Sequence, residues 1–245
     1  MLQIKNLSVS VADKLIINNL SLNLDNGKKV AIMGPNGSGK STLSNVIAGK
    51  PGYLINEGEI LLDGENILDK EPESRASMGV YLAFQYPVEI PGIANSSFLR
   101  TALNAIRKHK GEDPINTRAF LDECRLVADK LGLDKAFLSR DLNFGFSGGE
   151  KKKNEIFHLL MLKPKLCVLD EVDSGLDIDS LKLISKGIAN YSSSNNSMLI
   201  ITHYQRLLEY IKPDEVHIFN NGKVVKSGNY ELVKILEEKG YKEFC

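Results

Sequence analysis

Eight consecutive residues, Gly34-Pro35-Asn36-Gly37-Ser38-Gly39-Lys40-Ser41, match the pattern G-x-x-x-x-G-K-[ST], and Thr42 follows them. Each residue type has a use toward a polyphosphate. Glycines let the backbone wrap phosphate oxygens without Cβ clashes. The loop amides, with the N-terminus of a following helix, aim positive partial charge at an anion. Lys40 adds a full positive charge for the β- and γ-phosphates, and Ser41 offers a hydroxyl to Mg²⁺. Much later, Leu166-Cys167-Val168-Leu169-Asp170-Glu171 is an apolar run ending in two carboxylates. Open α/β sheets place ligands at the carboxyl ends of their parallel strands. There, Asp170 is expected to hold Mg²⁺, directly or through water, and Glu171 to polarise the attacking water as general base. Strand alternation would point these two neighbours in opposite directions, suiting two separate tasks.

Two further polar residues end apolar runs. Gln85 follows Leu82-Ala83-Phe84 and is expected to reach Mg²⁺ or water; His203 follows Leu199-Ile200-Ile201-Thr202 and is expected to bond the γ-phosphate. His109, His158 and His217 lack that placement and read as structural or surface residues. A second anion-binding helix start lies at Phe146-Ser147-Gly148-Gly149-Glu150, where Ser147 can cap and the glycines expose amides. One chain thus carries two phosphate-facing devices but one lysine loop. The economical solution is a head-to-tail pair about a two-fold axis. Ser147, Gly148 and Gly149 of one copy would then cover the γ-phosphate held by Lys40 of the other. Lys152, one turn into that helix, is expected to pair with Glu171 in the resting monomer and withhold the base.

The elements that must position these groups are readable in outline. Leu2–Val11 and Leu15–Leu24 alternate as strands, and Asn26-Gly27 reads as a hairpin-type turn. Lys29–Met33 is a short apolar strand feeding the glycine loop, and Ser41–Ala48 has helical spacing. Glu59–Leu62 is a strand. Residues from about 95 to 138 are helical in period. A helix (Glu150–Leu162), a strand (Leu166–Leu169), a helix (Ser180–Ala189) and a strand (Met198–Ile201) follow, with Pro164 and Pro213 as boundaries. No internal repeat is present.

The chain has 245 residues, with 31 basic and 31 acidic side chains. Zero formal charge argues against gripping nucleic acid by bulk electrostatics. No apolar stretch approaches the ~20 residues of a membrane span, and Met1–Lys5 lacks a secretory core. Cys124, Cys167 and Cys245 are scattered and form no CxxC pair, which fits a reducing compartment and no cluster held by this chain alone. A cytoplasmic setting is expected, or a plastid-type organelle for a processed or organelle-encoded form.

Taken in order, Gly34–Thr42, Gln85, Phe146–Glu150, Leu166–Glu171, Ser174-Gly175-Leu176-Asp177 and His203 resemble the full motif set of ATP-binding-cassette (ABC) ATPases. Phe84–Gly92, Phe146–Glu155, Asp173–Asp179, Thr202–Arg206 and Tyr210–Pro213 are similar, more narrowly, to the SufC-type ATPases of the SUF iron–sulfur cluster assembly system. The resemblance implies one α/β ABC nucleotide-binding domain. This would be a RecA-like P-loop core (about 1–86 and 164–245) with an antiparallel β subdomain and a helical subdomain (about 87–163). It implies ATP and Mg²⁺ as cofactors, hydrolysis to ADP and phosphate by an ATP-dependent dimer, and SufB and SufD scaffold proteins as partners. The segment Tyr86–Pro91 is expected to contribute to their contact. Two departures stand out. Glu150 replaces the glutamine of most cassettes, and residues 8–17 hold no aromatic side chain for adenine, leaving aliphatic residues such as Val11. The same motifs would serve the ATPase subunit of a membrane transporter, or a nucleotide-dependent scaffold module that does not turn over.

Overall fold

The computed structural model describes residues 1–244; Cys245, to which no role is assigned, lies outside the described residues. Two large sheets and a two-stranded one share one body. β1 (Leu2–Val11) and β2 (Lys14–Leu24) form an antiparallel pair. β3 (Lys29–Met33) runs into α1 (Lys40–Ala48). β4 (Leu54–Leu62) returns against β1, and β5 (Glu65–Asn66) closes a sheet of order β2-β1-β4-β5. α2 (Pro72–Met78) and β6 (Val80–Ala83) follow. The helical region comprises β7 (Ile90–Ala94), α3 (Asn95–His109), α4 (Thr117–Lys130) and β8 (Asp141–Leu142). It leads into α5 (Gly148–Leu162), β9 (Leu166–Asp170), α6 (Ile178–Tyr191) and β10 (Ser197–Ile201). α7 (Gln205–Ile211), β11 (Glu215–Asn220), β12 (Lys223–Gly228) and α8 (Glu231–Lys239) complete the chain.

The second sheet has the order β12-β11-β3-β10-β9-β6, parallel except for the β11–β12 hairpin at its edge. Every residue of β9 and β10 is buried, the continuous apolar pattern of central parallel strands covered on both faces. Each such aliphatic side chain contributes roughly 1.5–3 kcal/mol by leaving water. The α/β class and its antiparallel and helical additions are as expected from the sequence.

Local expectations need two corrections. Asn26-Gly27 does turn, with Lys28 N donating to Asp25 O at 3.2 Å, yet it makes no hairpin. β2 pairs with β1, whereas β3 joins the other sheet, so this turn carries the chain between layers. β4 begins at Leu54, five residues before the expected Glu59. Gly58 (φ +94°) lies so close to β1 that a Cβ there would sit 2.6 Å from Leu7 Cα, and this irregularity hides the strand's alternation.

Candidate functional site

Four adjacent parallel strands, β3, β10, β9 and β6, release the chain at the same sheet edge. They deliver, respectively, the glycine loop, His203, Asp170-Glu171 and Gln85. These meet in a cleft of about 540 Å³ lined by Ile16, Asn36, Gly37, Gly39, Lys40, Ser41, Thr42, Gln85, Glu171, Ser174, His203 and Tyr204. Two glycines of the loop are obligatory. Gly39 has φ +105° at the start of α1, and a Cβ on Gly34 would lie 2.1 Å from Phe219 O. No side chain caps α1, which leaves its first-turn amides for an anion. Lys40 is 4% exposed; its Nζ donates to Gly34 O (2.8 Å) and Pro35 O (2.9 Å), so the loop closes around the ammonium. Burial lowers the Lys40 pKa, while Glu171 and Asp170 pull it back up.

Asp170 joins the loop directly. Ser41 Oγ donates to its Oδ1 at 3.3 Å and Ser44 Oγ to its Oδ2 at 2.7 Å. Ser41 and Asp170 thus present two hard oxygens at one point, the donor chemistry Mg²⁺ takes. Among the described residues no three His, Cys, Asp or Glu form a cage.

Glu171 is not placed by strand alternation. β9 ends at Asp170, and Glu171 adopts φ +48°, a left-handed conformation costing about 1–3 kcal/mol in a non-glycine residue. Its N–H remains fixed to Ile201 O at 2.9 Å, so the kink is anchored on β10. Gln85 Nε2 donates to Glu171 Oε2 at 2.8 Å, and His203 Nδ1 lies 3.1 Å from Oε1. The carboxylate is bracketed by the two polar residues that end the neighbouring strands. The expected Lys152–Glu171 carboxylate pair is not formed. Lys152 Nζ donates instead to the carbonyls of Phe84 (3.0 Å), Gln85 (2.6 Å) and Glu171 (3.2 Å). It reaches Glu171 through the backbone because the left-handed turn points the carboxylate toward Gln85 and His203.

Ser147, Gly148 and Gly149 do not line this cleft. Ser147 caps α5 in a reciprocal capping box: its Oγ accepts from Glu150 N (3.2 Å), and Glu150 Oε2 accepts from Ser147 N (2.8 Å). The amides of Gly148 and Gly149 have no intrahelical partner by position. Glu150 is also paired with Arg140 Nη1 at 2.8 Å, and Arg140 lies 4.1 Å over the Phe146 ring. The acid that replaces glutamine is therefore directed back into its own helix start. Ser147 N–H holds the Glu150 carboxyl below the usual range.

Ser44, Ile16 and Arg140 carry no sequence-based assignment, and Ser174 and Tyr204 lie within the motif segments without an assigned task. Ser44 stands three residues from Ser41, one helical turn along the same face, and was findable on that ground. Ile16, rather than Val11, is the aliphatic residue lining the cleft.

Beside the site, α5 buries an ionisable pair. His158 contacts Asn95 Oδ1 through Nε2 at 2.8 Å, and burial lowers its pKa from 6.5 to about 4. Burial raises Glu155 from 4.5 to about 7. Between pH 6.5 and 4 an unfolded His158 takes up a proton the folded ring refuses, so its contribution to stability falls as pH drops. Glu155 acts oppositely, since its folded form holds the proton more tightly: its contribution is full below pH 4.5 and is lost as pH rises through 7. His158→Gln should therefore gain stability relative to the parent by about 3 kcal/mol as pH falls from 7 to 4. Urea unfolding across that range measures this, and a pH-independent difference would refute the assignment.

Comparison with known proteins places these features. The family model described as "ABC transporter" matches residues 17–174. The "Probable ATP-dependent transporter SufC" of Escherichia coli (strain K12) is 51% identical over 244 residues, covering 98% of this chain and 97% of that protein. The "Probable ATP-dependent transporter ycf16" of Pyropia yezoensis is 52% identical over 240 residues, with 98% and 96% covered. Among solved structures, the dimeric structure of a bacterial ABC transporter cassette superposes with TM-score 0.79 at 21% identity, covering 94% of this chain and 98% of that one.

Proposed function

The chain belongs to the ABC transporter family and is an ATP-binding ATPase of the SufC type, and from that premise we propose that two copies clasp Mg-ATP and use its hydrolysis to drive conformational change in a SufB/SufD scaffold for iron–sulfur cluster assembly. The observation that carries the reading is a division of parts. One chain assembles the glycine loop, Lys40, Ser41 and the bracketed Glu171 in a single cleft, with Asp170 bonded to Ser41, while its second anion-binding helix start lies outside that cleft. A head-to-tail pair brings Ser147 and Gly149 of one copy over the phosphate held by the other. The dimeric cassette of the same fold supports this arrangement.

Each residue then has a task. The loop amides and Lys40 hold the β- and γ-phosphates. Ser41 and Asp170 would hold Mg²⁺, which neutralises developing charge on phosphate oxygens. Glu171 accepts the proton of the attacking water. Gln85 and His203 each fix one of its oxygens, and His203 would turn toward the γ-phosphate when nucleotide enters. Residues of about 87–163 would move as a helical subdomain against the core of about 1–86 and 164–245.

The partner contact is proposed at the loop after β6. An apolar groove of about 450 Å³ lies between α2, β6, α3 and α5, with Phe84, Val88, Ile90 and Phe98 among its lining residues. Beside it Tyr86 is 81% and Val88 60% exposed. Exposed aromatic and aliphatic side chains rimming an apolar groove mark a protein interface. Tyr86→Ala with Val88→Asp should lower SufB/SufD recovery in a pull-down by roughly 10-fold or more, while turnover of the chain alone stays within about twofold. Co-purification with integral membrane subunits in place of SufB/SufD would instead identify a transporter ATPase. No described helix is long and apolar enough to cross a membrane.

A further inference from the structure

Helix α5 meets the nucleotide chemistry at two places. Its first turn is the segment assigned above to the phosphate of the opposite copy. One and two turns further on, the same helix grips the loop after β6 in its own chain. Lys152 Nζ donates to Phe84 O and Gln85 O, at 3.0 and 2.6 Å. Glu155 Oε2 accepts from Phe84 N at 3.2 Å. The Phe84–Gln85 backbone is therefore held on its donor and acceptor sides by two residues three apart on one helix face. Tyr81 Oη donates to Glu155 O at 2.8 Å, tying β6 to the same turn. The far end of this chain of contacts is the Gln85 amide, which holds Glu171 Oε2 at 2.8 Å.

Glu155 is an unlikely residue on packing grounds. It is 6% exposed, at the boundary of an apolar groove, and makes no ion pair within 4 Å among the described residues. A carboxylate buried there is costly unless hydrogen-bonded, and an apolar side chain of similar size would pack without that cost. Its carboxylate accepts from the amide of Phe84, the residue immediately preceding Gln85, and also lies within hydrogen-bonding reach of Tyr81 on β6. We propose that Glu155 is a positioning residue: by clamping Phe84–Gln85 to α5, it converts movement of that helix into movement of Gln85, and hence of the general base Glu171. Resting on the two-copy reading, this makes the base in each cleft answer to the nucleotide in the other.

Two substitutions separate the clamp from mere packing. Glu155→Leu fills the volume but offers no acceptor; Glu155→Gln keeps an oxygen toward Phe84 N–H. Glu155→Leu should lower kcat roughly 10-fold with KM for ATP within about twofold, since the phosphate loop is untouched while the base is misplaced. Glu155→Gln should recover kcat to within about threefold of the parent. Amide hydrogen exchange at Phe84 should quicken roughly 10-fold or more in Glu155→Leu and stay protected in Glu155→Gln. The unfolding midpoint of Glu155→Leu should stay within a few degrees of the parent's, because removal of a buried carboxylate offsets the lost partner of Phe84 N–H. The proposal is overturned if Glu155→Leu turns over within twofold of the parent, if its kcat falls while Phe84 stays protected, or if Gln is as impaired as Leu. Size-exclusion of the Glu171→Gln chain with ATP, with and without Glu155→Leu, distinguishes the two levels. Failure of Glu171→Gln alone to dimerise sinks the two-copy reading. Dimers in both, with parental turnover in Glu155→Leu, sink only the clamp.

Discussion

Glu171→Gln is expected to reduce ATP turnover by roughly 10²- to 10⁴-fold, the usual worth of a positioned general base, while leaving ATP binding close to that of the parent. The amide has nearly the shape of the carboxylate but cannot take a proton from water. The hydrogen bonds of the phosphate cradle do not use the carboxylate: Lys40 is held by Gly34 O and Pro35 O, and Asp170 by Ser41 and Ser44. The left-handed backbone at residue 171 is equally open to glutamine, and its N–H stays on Ile201 O. The lesion should therefore fall on kcat and spare KM, the pattern of an interaction made only in the transition state. Because nucleotide still enters but is not consumed, the ATP-bound pair should accumulate and elute as a dimer by size-exclusion chromatography. A variant retaining a tenth or more of parental turnover would remove Glu171 from the base position.

Lys40→Arg should cost at least about 10²-fold in turnover, although the charge is kept, because reacting groups misplaced by about 1 Å lose that much. The ammonium fits between two carbonyls at 2.8 and 2.9 Å inside a loop whose Gly34 and Gly39 are packed against Phe219 and Ile16. A planar guanidinium with its fork of donors is wider and cannot occupy the same point. The loop would open, and the charge would move away from the phosphate position. Binding of fluorescent ATP should weaken in step with turnover, unlike the Glu171 variant. The unfolding midpoint should change little, since the loop lies at the sheet's edge rather than in its core. Parental affinity in Lys40→Arg would contradict the assignment of the phosphate cradle.

The legible part of this chain is the part built from short contiguous signals. Lys29–Met33 followed by the glycine loop and α1 is strand, turn and helix in unbroken succession, and Leu166–Asp170 is an apolar run ended by acid. Gln85 and His203 could be placed because each ends such a run, and the parallel sheet then puts them on adjacent strands. What stayed hidden depends on backbone geometry or on distant partners. The φ of +48° at Glu171 leaves no mark in its residue type, yet it decides that the carboxylate faces Gln85 and His203 rather than Lys152. Lys152 was expected to seek the nearest acid, but three backbone carbonyls converge on its buried end and take all its donors. Glu150, the acid in place of the usual glutamine, is neutralised by Arg140 through a fold-back of the chain ahead of α5 that no local pattern announces.

The most direct test of two copies sharing one nucleotide is complementation between broken chains. Lys40→Arg destroys the loop side of a site, and Ser147→Arg blocks the helix-start side. Either variant alone should be nearly inactive. In a head-to-tail mixed pair, one cleft receives both lesions and the other receives the intact loop of the Ser147 variant with the intact helix start of the Lys40 variant. An equal mixture should recover turnover well above either component and at most about a quarter of the parental rate, since half of the pairs are mixed and each has one intact cleft facing a broken one. If mixed pairs form and the mixture stays as inactive as its components, the nucleotide is not shared between two chains.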